Sequence, residues 1–393
     1  MRIVIAPDKF RGTLEAAEVA SALATGLAST GIDLDLRCCP VADGGEGTLA
    51  AALANGWERV TTTVAGPLGE PRSAAFGIGG FEGEPAALVE LAMASGLALI
   101  PADAAGCLQT RPLDATSHGT GELIRAALDA GRGTVVLGIG GSACTDGGAG
   151  LLTALGARFL DGGGAPIPAG GGGLAELACV DLSELDPRVA GTRFVVACDV
   201  DNPLTGPSGA AAVFGPQKGA AVADVETLDA NLGRLVEVLT AALGPAARDG
   251  AVRPGAGAAG GVGYAAMTLL GAEPRPGVDV VLELVGLDTQ VAGADLVITG
   301  EGSLDEQSLG GKTPLGVARL AAAHGVPIIA VSGRCTLSPA QLSDAGFAAG
   351  YALADRDPVR CFTDTAAMLA ELGAEIGGLL DGFSGNSTPG NLR

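Results

Sequence analysis

The chain has 393 residues, 48% hydrophobic and 17% charged, with 65 glycines and 22 prolines, long enough for two domains with sizeable cores. Its formal net charge of −21 argues against a nucleic-acid partner, whose phosphate backbone demands clustered Lys and Arg. It leaves room for a nucleotide, which a few basic groups, backbone amides and a metal suffice to hold. The opening "MRIVIAPDKF" carries no apolar leader, no run of large apolar residues reaches membrane-spanning length, and the eight cysteines show no C-x-x-C or zinc-like spacing. The expectation is a cytoplasmic protein with reduced thiols and no membrane partner.

In chain order, apolar runs predict strands at "RIVIA" (2–6), "LRCCPV" (36–41), "TVVLGI" (134–139), "RFVVAC" (193–198), "DLVIT" (295–299), "PIIAV" (327–331) and "AAGYAL" (348–353). Most are continuous rather than alternating, as in parallel strands covered on both faces. Helical stretches lie between many of them: 13–30, where Val19, Leu23 and Leu27 fall four apart, then 313–325 and 363–380. Strand–helix alternation means an α/β fold. Residues 58–80 instead alternate apolar and polar around a Gly-Pro turn, which predicts antiparallel hairpins. Residues 159–177 are Gly/Pro-rich and loop-like. The expected organisation is a Rossmann-like, three-layer parallel-sheet domain from 1–60 and 286–393, with an inserted mixed α/β domain over 61–285. The polar tail 382–393 is expected to fray.

Each strand runs into polar residues. The first reaches Asp8 and Lys9, the second "ADGGEGT" (42–48), the third "GIGGSACTDGGAG" (138–150) and the fourth "CDVDNPLTG" (198–206). The strand at 295 reaches "GEGSLDEQS" (300–308) and the next "SGR" (332–334). Ligands of open α/β sheets bind at the carboxyl ends of strands. Acids, small hydroxyls and glycines gathered there suit phosphoryl transfer, which needs positioning and charge neutralisation more than covalent chemistry. Glycines admit phosphate oxygens to backbone N–H groups, and carboxylates hold Mg²⁺ or accept a hydroxyl proton. For any one acid the competing reading is structural: an Asp after a strand commonly caps a helix or forms an Asx-turn.

Asp8, Asp43, Asp146, Asp199 and Glu301 are the candidate acids. Asp199 is assigned as general base, with Asp43 and Asp8 the other catalytic candidates; Asp146 and Glu301 are assigned to the metal. Lysine is scarce: Lys9, Lys218 and Lys312 stand against twenty arginines, all three in glycine-near turns. "GGKTP" (310–314) looks like the end of a P-loop, but the pattern would need Gly at 306, which is Glu306. A capped turn at a helix start, able to bind an anion, is what remains. His118, in "DATSHGTGELI" (114–124), reads as an anion-binding turn or an N-cap, and His324 as a helix C-terminal cap.

These motifs resemble the class I glycerate kinases. "APDKFRGTL", "ADGGEGT", "TSHGTGELI", "GIGGSACTDGG", "CDVDNPLTG", "GPQKGA", "GAAGGVGYA" and "DLVITGEGSLDEQSLGGKTPLGVA" occur in the family's order over nearly the whole chain. The resemblance implies a Mg-ATP-dependent enzyme that phosphorylates D-glycerate, favouring the 2-hydroxyl, with two α/β domains and a cleft site. It implies substrate or phosphate contacts at Lys9, Arg11, Gly44, Gly45, Ser117, Gly119, Gly140, Gly141, Ser142, Asn202, Lys312 and Thr313. Four positions, in three motifs, depart from the family's pattern. Arg11 stands where Lys is usual, keeping the charge as a fork. Cys144-Thr145-Asp146 stands where Thr-Asn-Asp is usual, keeping the acid and losing an amide. Ser303 stands where Arg is frequent.

Two other classes compete. A Rossmann-type oxidoreductase acting on a hydroxy acid should show G-x-G-x-x-G after the first strand, where this chain has "PDKFRG". A nucleotide-free sugar-acid binder would not need so many acids at strand ends.

Overall fold

The computed structural model describes residues 1–102, 106–306, 308–310 and 312–381. The tail 382–393 and Gly311 of the "GGKTP" turn lie outside them. In chain order the strands are β1 (Arg2–Pro7), β2 (Asp35–Cys38), β3 (Glu58–Ala65), β4 (Pro71–Phe81), β5 (Glu84–Glu90), β6 (Thr134–Gly138) and β7 (Arg158–Leu160). Then follow β8 (Cys179–Asp181), β9 (Arg193–Ala197), β10 (Glu273–Arg275), β11 (Leu296–Leu304), β12 (Ile328–Cys335) and β13 (Ala349–Ala352). The chain folds as two compact units. The first comprises Met1–Asp43, Ala50–Gly56 and Val278–Arg393, and the second Gly44–Leu49 and Trp57–Gly277.

The first unit is built on a five-stranded sheet in the order β13-β12-β11-β1-β2, with every pairing parallel. Its strands alternate between two buried faces, which is why they read as continuous apolar runs. Ile3 and Ile5 pack with Leu23 and Leu27 of the helix Ala16–Ala28 and with Leu369 and Leu372 of the helix Thr365–Asp381. Val4 and Ala6 face the opposite way, toward Val281, Val317 and Ala321.

β11 and β12 run further than their apolar cores predict. Pairing continues through Gly300↔Val331, Ser303↔Arg334 and Leu304↔Cys335, so "GEGSL" is strand rather than loop. Glycine usually weakens a strand, but it is required where backbones crowd. A Cβ on Gly300 would lie 1.8 Å from the Val331 carbonyl oxygen.

The second unit carries a six-stranded sheet in the order β10-β9-β6-β5-β4-β3. β5, β6, β9 and β10 are parallel neighbours, and β3–β5 form the antiparallel part expected from residues 58–80. β5 carries no turn signal after it, since Glu90 leads almost directly into the helix Ala92–Ser95. The Gly/Pro-rich stretch is mostly loop, entered by β7, which pairs antiparallel with β8. The core of this unit gathers Phe76, Leu88's neighbours Ala87 and Val89, Leu123, Val135, Phe194 and Tyr264.

In the first unit the helices Ala16–Ala28 and Thr365–Asp381 touch backbone to backbone. A Cβ on Gly26 would fall 1.9 Å from the Ala370 carbonyl oxygen. Gly26→Ala is therefore expected to lower stability by about 1–3 kcal/mol through overpacking. Gly378→Ala, whose added methyl meets nothing within 4 Å, should be neutral or slightly stabilising. Thermal denaturation of the two variants checks the pair; equal melting temperatures would contradict the close helix contact.

Candidate active site

In the first unit the strand ends gather charge. Asp8 follows β1 and is 8% exposed. Its backbone N–H donates to the Gly300 carbonyl at 2.8 Å, fixing it beside β11. Oδ1 accepts from the Lys9 N–H at 2.6 Å, and Oδ2 from the Thr313 hydroxyl at 3.0 Å. Burial, and then the charge of Asp43, push the Asp8 carboxyl up to about 7, against the lowering pull of Lys9 and Thr313. Asp43 is half-buried beyond β2.

Glu301 lies in β11. Burial raises its carboxyl, Ser308 and Lys312 draw it back, and Asp305 and Asp43 add to the rise. Its Oε1 is buried with no hydrogen-bond partner among the described residues, as is the Ser303 hydroxyl. Lys312 directly precedes the helix Thr313–Ala323, with Pro314 in its first turn. Thus Asp8, Asp43, Glu301, Lys312 and Thr313, far apart in sequence, share one electrostatic neighbourhood. Thr313 is fully buried, so its hydroxyl holds Asp8. Arg11 is exposed on the tight turn closed by the Phe10 and Leu14 backbones, and Lys9 is half-buried beside it.

Asp146 corrects an expectation. It is 0% exposed, in the second unit. Its carboxylate accepts from the Ser117 N–H (2.8 Å), the Ser117 hydroxyl (2.9 Å), the Thr116 hydroxyl (3.3 Å), the Gly148 N–H (3.1 Å) and the Gly150 N–H (3.2 Å). A carboxylate has about four acceptor sites, so these donors leave none for a metal. Asp146 is an internal anchor that ties "ACTDGG" to the "TSHGT" turn. Ser117 belongs to the same anchor: its hydroxyl also accepts from the Leu151 N–H at 2.9 Å. The arrangement does not leave Ser117 facing a ligand.

Asp199 differs too. It is exposed just beyond β9, and its Oδ1 accepts from the N–H of Gly277, the first residue of the helix Gly277–Leu284, at 2.7 Å. That is the capping arrangement of an acid at a helix N-terminus, not a rigid buried base. Asn202 holds its own turn, donating from Nδ2 to the Ser208 carbonyl at 2.8 Å. Gly44, Gly45 and Gly140 make close backbone approaches within the second unit: a Cβ on Gly140 would lie 2.6 Å from the Gly45 Cα, and one on Gly44 2.5 Å from the Gly277 Cα. Gly119 packs its backbone against the Ala65 carbonyl. Gly141 is exposed in the turn after β6, and Ser142 beside it is buried. His118 opens the helix His118–Asp129, half-exposed, and His324 caps the helix Thr313–Ala323 while facing Asp288 at 2.8 Å.

Lys218 is absent from the candidate site residues, yet it is 2% exposed and its Nζ donates to the Cys144 carbonyl at 2.5 Å. The signal that could have found it is the scarcity of lysine together with its glycine-flanked turn.

Among the described residues no three His, Cys, Asp or Glu side chains gather as a metal cage, and no helix is long and apolar enough to cross a membrane. A parallel sheet with acids and a lysine gathered near its carboxyl ends defines an α/β protein whose charged groups sit where open sheets bind their ligands. Similarity to known proteins makes this particular. The profile of the "Glycerate kinase family" matches residues 3–381, and the chain belongs to that family. It is 49% identical over 334 residues to a glycerate kinase of Bacillus subtilis (strain 168), covering 85% of each chain. It is 47% identical over 338 residues to the glycerate 2-kinase of Escherichia coli (strain K12), covering 86% of each. A crystal structure described as that of a glycerate kinase 2 from Salmonella typhimurium LT2 superimposes with a TM-score of 0.84 at 41% identity, covering 98% of this chain and 99% of that one.

The raised Asp8 has a thermodynamic signature. Between its ordinary 3.8 and about 7, the folded protein keeps a proton that the unfolded chain has released. Stability from this group therefore falls as pH rises through that window and is level above it. Asp8→Asn carries no such proton, so its stability relative to the parent should climb from about pH 4 to about pH 7 and then plateau. Chemical denaturation of both proteins across pH measures the difference; a pH-independent difference would contradict the raised pKa.

Proposed function

We propose that the protein is an ATP-dependent glycerate kinase that transfers the γ-phosphoryl group of ATP to the 2-hydroxyl of D-glycerate, giving 2-phosphoglycerate and ADP. The observation that carries this reading is the charge of Asp43 acting on both Asp8 and Glu301 near the carboxyl ends of a parallel sheet, in a chain of the glycerate kinase family. The 2-hydroxyl is favoured by the identity to the relative named glycerate 2-kinase. The all-parallel sheet supports a Rossmann-like description of the first unit. The hydride-transfer alternative finds no support: β1 leads to Asp8 and Lys9 rather than a glycine-rich phosphate turn.

Asp8 is the proton acceptor. A buried carboxylate drawn up to about 7 is matched to taking a hydroxyl proton near neutral pH, and its direction is fixed by Thr313 and the Lys9 N–H. Asp43 and Glu301 would hold Mg²⁺. The fit rests on the buried Glu301 Oε1 that no described residue satisfies and on the rise of the Asp8 and Glu301 carboxyls, caused first by burial and then added to by the charge of Asp43. When bound, the ion supplies neutralisation of phosphate charge. Lys312 and the N-terminus of the helix Thr313–Ala323 attract phosphate oxygens, while Lys9 and Arg11 bind the glycerate carboxylate or a phosphate. Gly44, Gly45, Gly140, Gly141 and Ser142 offer backbone N–H groups to phosphate.

Release of ADP on adding D-glycerate to the protein with Mg-ATP tests the reading, and phosphorus NMR of the product identifies the hydroxyl. Excess EDTA should abolish turnover, and glycerol, lacking the carboxylate, should be a poor acceptor. Asp8→Asn should lower kcat by roughly 10²–10⁴ and leave nucleotide affinity largely intact, whereas Asp199→Asn should leave kcat close to the parent's. The reverse outcome would assign the base to Asp199.

A further inference from the structure

Lys218 has no part in that scheme, yet its placement is unusual. It ends the short turn Pro216–Lys218 and is 2% exposed. A buried ammonium is costly unless fully paired. Lys218 has three donors, and one goes to the Cys144 carbonyl. Among the described residues no carboxylate lies within ion-pairing distance. The acid whose charge reaches it is Asp146, whose own oxygens are taken by the donors described above.

The segment Cys144–Gly148 is clasped from several sides of the second unit. Gly260, at φ 67°, lies so close that a Cβ on it would fall 2.1 Å from the Cys144 carbonyl oxygen. The Gly147 N–H donates to the Gly260 carbonyl at 3.0 Å. Ala259 is held at φ 51°, a strained conformation for a residue with a side chain, and its carbonyl accepts from the Cys144 thiol at 3.7 Å. The Thr145 hydroxyl is buried with no partner among the described residues. This segment continues directly from the turn Gly140–Ser142, itself pinned where Leu97 N–H donates to the Gly141 carbonyl (2.8 Å) and Ala143 N–H to the Ser95 carbonyl (2.9 Å). A costly buried charge and a strained alanine, both aimed at one backbone segment, mark a place where geometry is being set.

We propose that Lys218 is a positioning residue for phosphoryl transfer: its ammonium grips the Cys144 carbonyl, balances the buried Asp146, and so sets the Gly140–Ser142 turn to receive a phosphate. This rests on the phosphate-binding role given to that turn above.

The test is Lys218→Met, which keeps the length and apolar stem and removes the charge. Its KM for ATP should rise on the order of ten- to a hundredfold, with kcat changed less, because a misplaced binding turn weakens binding. In the substrate-free protein the amides of residues 140–148 should exchange with solvent roughly tenfold faster or more. Those of β1 and β11, in the other unit, should be unchanged. A lower melting temperature with KM and exchange both at parental values would show a purely structural lysine and overturn the proposal. If the Met variant does not fold, Lys218→Gln, which keeps a donor for the Cys144 carbonyl but no charge, is measured by the same two readouts. A raised KM with faster exchange then supports the positioning role, and parental values of both overturn it. A parent protein that releases no ADP with glycerate would sink the kinase reading, while the exchange measurement, needing no substrate, would still decide Lys218.

Discussion

A carboxylate is held out of water at the end of a hydrophobic sheet, and the proposed chemistry depends on that constraint. β1 is flanked by parallel neighbours on both sides and covered on both faces, so its carboxyl end delivers Asp8 into an interior with few routes for relaxation. The Thr313 hydroxyl and the Lys9 N–H stabilise the ionised form, but burial and Asp43 outweigh them. The protein thereby gives up some stability above neutral pH in return for a group that can exchange a proton there. Such trades are expected where a site, not the fold, dictates the residue.

The second unit uses its charge differently. Asp146 meets five donors from two stretches of the chain, 116–117 and 148–150, so its charge organises a loop. The glycines around it serve close backbone contact: Gly260 on Cys144, Gly140 on Gly45, and Gly150, where a Cβ would fall 2.2 Å from the Thr116 hydroxyl. Two acids that look alike in sequence, each in a turn after a strand, therefore sit in opposite surroundings. What separates them is how many donors surround each one.

The parallel strands were legible because burial on both faces writes itself as an unbroken apolar run, as in "RIVIA" and "TVVLGI". Their true lengths were not, since β11 continues through "GEGSL" by backbone pairing that leaves no apolar signature. β5 lacked a turn residue after it, since Glu90 runs almost directly into a helix, and β10 is three residues long. At the site, the residue types were readable and their roles were not. Nothing local to "CDVDN" says that Asp199 meets the N–H of Gly277, and nothing in "CTDGG" says that Ser117 and Thr116 close on Asp146. Those distinctions arise from contacts between residues 29 to 78 positions apart. The partnership of Asp8 with Thr313, 305 positions away, is of the same kind.

The central claim is that Asp8 is a carboxylate poised near neutrality by its place in the fold. Carbon-13 NMR titration of the Asp8 carboxyl, assigned by comparison with Asp8→Asn in the nucleotide-free protein, measures this directly. The account predicts a midpoint of about 7, moving to lower pH in Asp43→Asn as the neighbouring negative charge is removed. A midpoint at the ordinary carboxylate value of 3.8, unmoved by Asp43→Asn, would contradict it.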